Sequence, residues 1–234
     1  MALPFRSDHT YNSQVWPALT ISLKEDHLTA LGCGELECLS NAVYNGGFQK
    51  ADRWMNWKVP MDYDCSDPVA DYEQLLVRKA YSPQTVGMIT AAKLTCASIV
   101  EMADEACAIV CCTTAGTRNA ARAGSDRTLY AAYKAGTINT MLLIDGRLTP
   151  SAMVNALMTA VEAKAAALGD LGIKDMDNGL QATGTTSDAL LIGVSQSERF
   201  LAVHEYAGTA TTLGGAIGKM VYASVYEAAT AQYE

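Results

Sequence analysis

The stretch TPSAMVNALMTAVEAKAAALGDLG, residues 149–172, restricts the fold more than any other part of the chain. Thr149 suits an N-cap. Pro150 suits the first helical position, where a missing N–H is no loss, and Gly172 suits the closing turn. Between them Met153, Leu157, Ala160, Val161, Leu168 and Leu171 recur at helical spacing and mark one apolar face. Lys164 falls inside that stripe, while Glu162 projects roughly opposite it, at about 100° per residue. A lysine there either snorkels to the helix edge or needs a carboxylate partner, because an unpaired buried charge is costly.

The rest of the chain supplies mostly strands. ALTISLKEDHLTALG alternates apolar and polar residues around a turn at Lys24-Glu25-Asp26-His27, the pattern of a β-hairpin. DRWMNWKVP reads as a strand stopped by Pro60, with Trp54 and Trp57 as packing residues or a pocket wall. DPVADYEQLLVRKAY reads as a short helix with Asp67 as N-cap and Pro68 at its first position. TVGMIT and ACAIVCCTT are strand-like, TINTMLLIDGRL is a strand and turn, and LTCASIVEM fits either strand or helix. TLGGAIGKMVYASVYEAATAQYE reads as a glycine-rich turn leading into a C-terminal helix. Several hairpins mixed with helices predict an α+β fold, a layered domain with a mainly antiparallel sheet packed by helices.

Composition narrows the function classes. Half of the 234 residues are hydrophobic, so a sizeable core forms, and the formal net charge of −8 argues against a nucleic-acid surface. The seven cysteines are odd in number and sit in apolar settings, which predicts reduced, buried thiols in a cytoplasm. No Cys-x-x-Cys pair occurs and the three histidines, His9, His27 and His204, are scattered, so no zinc site of the usual kind is expected. MALPFRSDHTYNSQVW has no apolar signal-peptide core, and no run approaches the ~18 apolar residues of a membrane span.

Clusters of small residues with hydroxyls or amides interrupt the apolar elements at five places: LSNAVYNGG (39–47), TTAGTRNAARAG (113–124), AGTINT (135–140), ATGTTSDA (182–189) and YAGTATTLGGAIG (206–218). Glycine allows close approach of backbone to a ligand, and consecutive N–H groups in such turns bind anions or a developing oxyanion. If the clusters converge, they line a roomy polar pocket. TLGGAIG lacks the Gly-x-Gly-x-x-Gly spacing of a dinucleotide loop. Within ATGTTSDA, Asp188 is the only carboxylate, flanked by hydroxyls it could deprotonate or orient; as a plain turn residue it would instead cap local amides.

At these clusters the chain resembles the adenosylcobinamide amidohydrolase (CbiZ) family. The resemblance rests on LSNAVYNGG, VGMITAA, TTAGTRNAARAG, GTINTMLLIDGRLTPSAMVNALMTAVEAKAAAL, ATGTTSDALLI and YAGTATTLGGAIGKMVY, in the family's order, from about residue 39 onward. It implies one amidohydrolase-like domain over 1–234. The implied reaction is hydrolysis of the amide that joins the corrin ring's f side chain to aminopropanol, giving adenosylcobyric acid. The partner is then a corrinoid small molecule, with no nucleic acid and no membrane, and with homo-oligomer assembly left open. Cobalt belongs to the substrate, so no protein cofactor is expected. RWMNWKVPMDYDCSDP departs from the family pattern, at a place suited to a substrate-shaping loop.

Amide hydrolysis needs a nucleophile, an oxyanion stabiliser and a proton donor for the leaving amine. The clusters nominate Asp188 as general base or orienter. Thr185, Thr186 or Ser40 would carry the nucleophile or hold an activated water, and Lys164 would pair with Asp188 or Glu162. Asn41, Asn119 and turn amides would hold the oxyanion or corrin amides. Gly46, Gly47, Thr114, Gly116, Asn139, Gly184, Tyr206, Gly208 and Thr209 complete the expected binding set together with Glu162. Buried thiols such as Cys112 are not expected to be nucleophiles. Two rival readings stand: a noncatalytic corrinoid-binding protein, and a hydrolase of the same fold acting on another amide.

Overall fold

The structure is a computed structural model and describes residues 3–126 and 136–233, so Ala135 of the AGTINT stretch lies outside the described residues. Two sheets lie face to face. The first has five strands, in the order β1 (Thr10–Asn12), β2 (Thr20–Leu23), β3 (His27–Leu31), β6 (Arg53–Lys58) and β7 (Thr85–Thr90). The second has six, in the order β5 (Gly47–Ala51), β4 (Leu36–Ser40), β14 (Ala189–Val194), β11 (Ile138–Asp145), β9 (Ala108–Ala115) and β8 (Ser98–Ala103). Two short pairs join β10 (Ala120–Ala121) to β13 (Gly184–Thr185) and β12 (Arg147–Leu148) to β15 (Val203–His204). The helices are α1 (Pro68–Lys79), α2 (Pro150–Asp170) and α3 (Thr212–Ala231).

The alternation of each strand sets the layering. In the six-stranded sheet Ile109, Cys111, Leu142, Ile144 and Ile192 point toward α2 and α3. Their neighbours Val110, Cys112, Met141, Leu143 and Leu191 point toward the five-stranded sheet, where they meet Leu28, Trp54, Val86 and Met88. On the far face of that sheet Met55 packs under Tyr72, Leu75 and Leu76 of α1. The order is therefore α1, sheet, sheet, α2 with α3. The expected α+β class and mainly antiparallel pairing hold, with the strands divided between two stacked sheets. Three parallel pairs occur among the described residues, β6 with β7, β11 with β14 and the short β12 with β15, and a helix lies between the two strands of each, as parallel neighbours require.

Local chemistry forms the helices where the sequence places them. Asp67 accepts from Ala70 N at 3.1 Å and Thr149 from Ala152 N at 3.1 Å. The end of α2 closes at Gly172 (φ 65°), with Ile173 N donating to Leu168 O at 3.0 Å. Three expectations change. Val161 is exposed, and the buried face of α2 is instead carried by Ala152, Ala156, Thr159, Ala163 and Ala167 beside Met153, Ala160 and Leu168. Small side chains there let α2 lie close to α3 and the sheet. The glycines of TLGGAIG are not in a turn but inside α3, whose N-cap is Thr211. Gly214 is needed there because a Cβ would collide with the carbonyls of Ala207 and Gly208. Finally, LTCASIVEM divides into a 3-10 turn at Leu94–Cys96 and strand β8.

Gly87 on β7 is the tightest contact under α1. The Tyr72 ring lies directly over it, the Tyr72 hydroxyl donates toward Met55 O at 3.2 Å, and Tyr44 stacks on the same ring at 5.2 Å. A methyl at Gly87 would occupy the space of that ring. Gly87→Ala should therefore lower stability by about 1–3 kcal/mol, the usual cost of overpacking. The denaturant midpoint checks it, and a midpoint equal to wild type would mean that Tyr72 moves aside freely.

Candidate functional site

A cavity of about 780 Å³ opens at one end of the two-sheet sandwich. Its walls are chain segments that run into or out of strands at that end: Asn41 and Val43 after β4, Val59 to Ser66 after β6, Met88 to Ala91 at the end of β7, Gly136–Thr137 before β11, and Ser187–Ala189 at the start of β14. The lining is mixed. Met61, Pro60 and Ile89 supply apolar surface, while Asp62, Asp64, Asp188, Ser187 and Asn41 supply polar groups.

Asp188 is the best-connected side chain of this wall. Its Oδ1 accepts from the Thr185 hydroxyl at 2.5 Å and from Ile138 N at 3.0 Å. Its Oδ2 accepts from Thr185 N at 3.0 Å and from the Lys164 ammonium, with which it forms an ion pair. Lys164 and Asp188 are only 12% and 13% exposed, so the pair is shielded from water. The lysine inside the α2 stripe thus has the carboxylate it needs, and Glu162, which is exposed, is not that partner. Gly184 belongs to the same arrangement, because a Cβ there would collide with Asp188 Oδ2 and approach Lys164 Nζ to 2.9 Å.

The other hydroxyl candidates have different partners. Ser40 is buried; its hydroxyl donates to Leu190 O at 2.9 Å and accepts from Ala42 N at 2.9 Å, so it ties β4 to β14. The exposed Thr186 accepts from Asn119 Nδ2 at 2.8 Å. Asn119 is itself buried, so it shapes the turn rather than reaching the cavity. Asn41 stands on the cavity wall and acts as an extra strand residue: its Nδ2 donates to Asp188 O and its Oδ1 accepts from Leu190 N, both at 2.8 Å.

Thr114 and Asn139 are each 1% exposed and lie below the cavity, between the sheets. Gly116 N donates to Thr137 O at 2.8 Å, which holds the chain entering β11. Gly46 and Gly47 form the turn into β5; Gly47 has φ 85°, and a Cβ at Gly46 would press on Ala42 O at 2.5 Å. Tyr206, Gly208 and Thr209 do not join the cavity. They lie between β15 and α3 on the helix side of the six-stranded sheet, where Gly208 O accepts from Thr211 N at 2.9 Å and ends the connection at the α3 N-cap. Parts of four of the five small-residue clusters therefore gather around one end of the sandwich, and the fifth serves the start of α3.

The largest wall that the clusters do not announce is the loop from Pro60 to Asp67. Two prolines and Asp67 bracket it in sequence, and the Tyr63 hydroxyl anchors it by donating to Asp71 at 2.6 Å. Ser187, Thr137 and Gly136 are further wall residues, adjacent to those singled out. The core thiols stay protonated: burial pushes Cys107 up to about 12 and Cys111 up to about 11, and raises Cys112 further. Cys65, on the cavity wall, is also raised, by partial burial and the nearby Asp64. Among the described residues no three His, Cys, Asp or Glu side chains converge as a metal ion would need.

Comparison with known proteins places the chain in a family. The chain matches the adenosylcobinamide amidohydrolase family over residues 17–234, which takes in the N-terminal hairpin as well as the clusters. It is 29% identical over 203 residues to an uncharacterized protein of Methanocaldococcus jannaschii, covering 78% of each chain. It is 27% identical over 194 residues to a protein of Methanosarcina mazei named adenosylcobinamide amidohydrolase, covering 80% of this chain and 87% of that one. With a family match that spans nearly the whole chain, from residue 17 to 234, the chain belongs to the adenosylcobinamide amidohydrolase (CbiZ) family.

Proposed function

We propose that this protein hydrolyses the aminopropanol amide of adenosylcobinamide and releases adenosylcobyric acid, as a corrinoid-salvage enzyme of the cytoplasm. Family membership supports the reaction class. The single observation that carries the site is the shielded unit of Thr185, Asp188 and Lys164, which meets a cavity of about 780 Å³ at Asp188, while Thr185 and Lys164 lie behind that wall.

The hydrogen bonds around Asp188 favour Thr185 among the hydroxyls. Both Asp188 oxygens already accept two donors, so no lone pair is left to hold a water. The proton within its reach is that of the Thr185 hydroxyl. In this reading Thr185 Oγ1 attacks the amide carbon while its proton passes to Asp188. The oxyanion is held by donors on the cavity wall, among them the Asn41 amide, which keeps one N–H beyond its bond to Asp188 O. The C–N bond breaks as the departing amine takes the proton back from Asp188. Aminopropanol leaves, and water then cleaves the Thr185 ester to the free carboxylic acid. Lys164 balances the carboxylate charge throughout, and the Ile138 N–H keeps Asp188 aimed at Thr185. The apolar Met61 and Ile89 would contact the corrin edge, and Ser187 and Asn41 its amides.

Incubation with adenosylcobinamide should release free aminopropanol, and exhaustive chelation and dialysis should leave the rate unchanged. Corrinoid binding without release would make the protein a binding protein instead. A loss of rate that zinc restores would reveal a metal site built from distant ligands.

Thr185→Val removes the hydroxyl but keeps the Asp188–Lys164 pair. Turnover should fall about 10²-fold or more, while stability changes by about 1 kcal/mol, the net value of one hydrogen bond. Thr185→Ser should retain activity. Equal turnover in folded Thr185→Val protein would exclude Thr185 as nucleophile.

Asp188→Asn behaves differently from what its turn position alone suggests. The neutral amide abolishes turnover but also leaves Lys164 without a counter-charge in a shielded site. The thermal midpoint should fall with it, by roughly 3 kcal/mol of stability. Lys164→Met in the Asp188→Asn background should recover much of that stability and none of the turnover.

A further inference from the structure

One polar cluster in the otherwise apolar layer between the sheets is not used by the proposed chemistry. Asn56 on β6 and Thr114 and Asn139 on β9 and β11 are each 1% exposed. Thr114 and Asn139 are direct cross-strand neighbours. The Asn56 side chain reaches across from the opposite sheet and bonds both: its Nδ2 donates to Thr114 Oγ1 at 2.8 Å, and its Oδ1 accepts from Asn139 Nδ2 at 2.8 Å. Asn139 Nδ2 also donates to Ile89 O on β7 at 2.9 Å. Its Oδ1 accepts from the Thr137 hydroxyl at 2.8 Å, and that hydroxyl lies equally close to Ser187 O, at 2.8 Å.

An apolar core needs no such network, and buried amides are costly unless every bond is made. Its position explains what it does. Elsewhere between the sheets Leu28, Trp54, Met88, Met141 and Leu143 make contacts that are non-directional and allow sliding. Here directional bonds cross the gap and end on groups that form three walls of the cavity: Ile89, Thr137 and Ser187. Thr137 is followed by Ile138, whose N–H holds Asp188. The spacing of the β7 wall from the turn that carries Thr185 and Asp188 therefore depends on two asparagine side chains that do not line the cavity.

We infer that Asn56 and Asn139 are positioning residues that clamp the two sheets together at the cavity floor and so set the geometry of the Thr185–Asp188 unit. The inference rests on the proposed hydrolysis for its kinetic test, but the clamp itself is a structural claim with its own readout.

The test replaces the three bridging side chains together. A single Asn139→Leu change leaves its partners unsatisfied and lowers stability for that reason alone. The triple variant Asn56→Leu, Thr114→Val, Asn139→Leu exchanges the polar side chains for apolar ones of similar size. The Thr137 hydroxyl keeps Ser187 O, and the Ile89 carbonyl, which loses its donor, lies on the cavity wall within reach of water; replacing the other partners together is close to neutral for stability. Its thermal midpoint should stay near wild type, while kcat/KM for adenosylcobinamide falls about 10²-fold, the scale on which misplaced reacting groups act. The Ile138 amide should exchange with solvent faster than in wild type. Asn56→Ser, which cuts the bridge and leaves room for water to meet the orphaned groups, serves as the milder variant should the triple variant not fold, with the same expectations. Wild-type kcat/KM together with a wild-type Ile138 exchange rate in a folded variant would overturn the clamp. Absence of hydrolysis by the unmodified protein would overturn the proposed reaction alone, and the exchange rate of Ile138 would then decide the clamp by itself.

Discussion

The six-stranded sheet is buried on both faces, and the other layers take their places from that. Strands β9, β11 and β14 carry apolar residues on each side of the pleat, so helices must cover one face and a second sheet the other. That requirement separates the hairpin strands into their own sheet and leaves α1 to cover its outer face. It also gives the ends of the sandwich their character. A doubly covered sheet has its loops only at its ends, and polar chain segments can gather there without entering the core.

At one end the strand termini are polar where the strand interiors are not. Thr114, Asn139 and Asn56 replace the apolar residues of the inter-sheet layer just below the cavity, and Asp188 replaces them on the helix side. Each of these groups is satisfied, so the polar end is rigid rather than merely wet. The carboxylate of Asp188 links the turn before β14, the first residue of β11 and the middle of α2 through four donors. A site built this way is pre-organised: the same bonds that hold the turn in place aim the Thr185 hydroxyl at the carboxylate.

Much of this was legible in the residues. The caps at Asp67 and Thr149, the closing glycine at Gly172 and the hairpin around Glu25 and Asp26 are local hydrogen-bonding and dihedral preferences, complete within a few residues. Lys164 in an apolar stripe left two outcomes, a side chain that snorkels to the helix edge or one met by a carboxylate, because the cost of an unpaired buried charge does not depend on the fold; the structure shows the second. The misreadings had the opposite origin. Val161 looked buried by periodicity, but the neighbours of α2 left room only for alanine-sized side chains on the packed face. The glycines of TLGGAIG looked like a turn, but Gly214 is there so that α3 can approach the carbonyls of Ala207 and Gly208.

What the sequence determined by itself was the three helices, most of the long strands, the caps at Asp67 and Thr149, the α+β class and the small-residue clusters, since these rest mainly on preferences within one segment. Which clusters met was decided by the two helical crossovers, β6 to β7 and β11 to β14. These brought the starts of β11 and β14 and the ends of β6 and β7 to one end of the sandwich and left Tyr206, Gly208 and Thr209 elsewhere. The tertiary structure also chose Asp188 over Glu162 as the partner of Lys164, Thr185 over Ser40 as the hydroxyl on that carboxylate, and Asn56 as the bridge between sheets. Those choices join residues between 3 and 83 positions apart. Most of them are fixed only when burial of both sheet faces sets the distances, and no local preference encodes that.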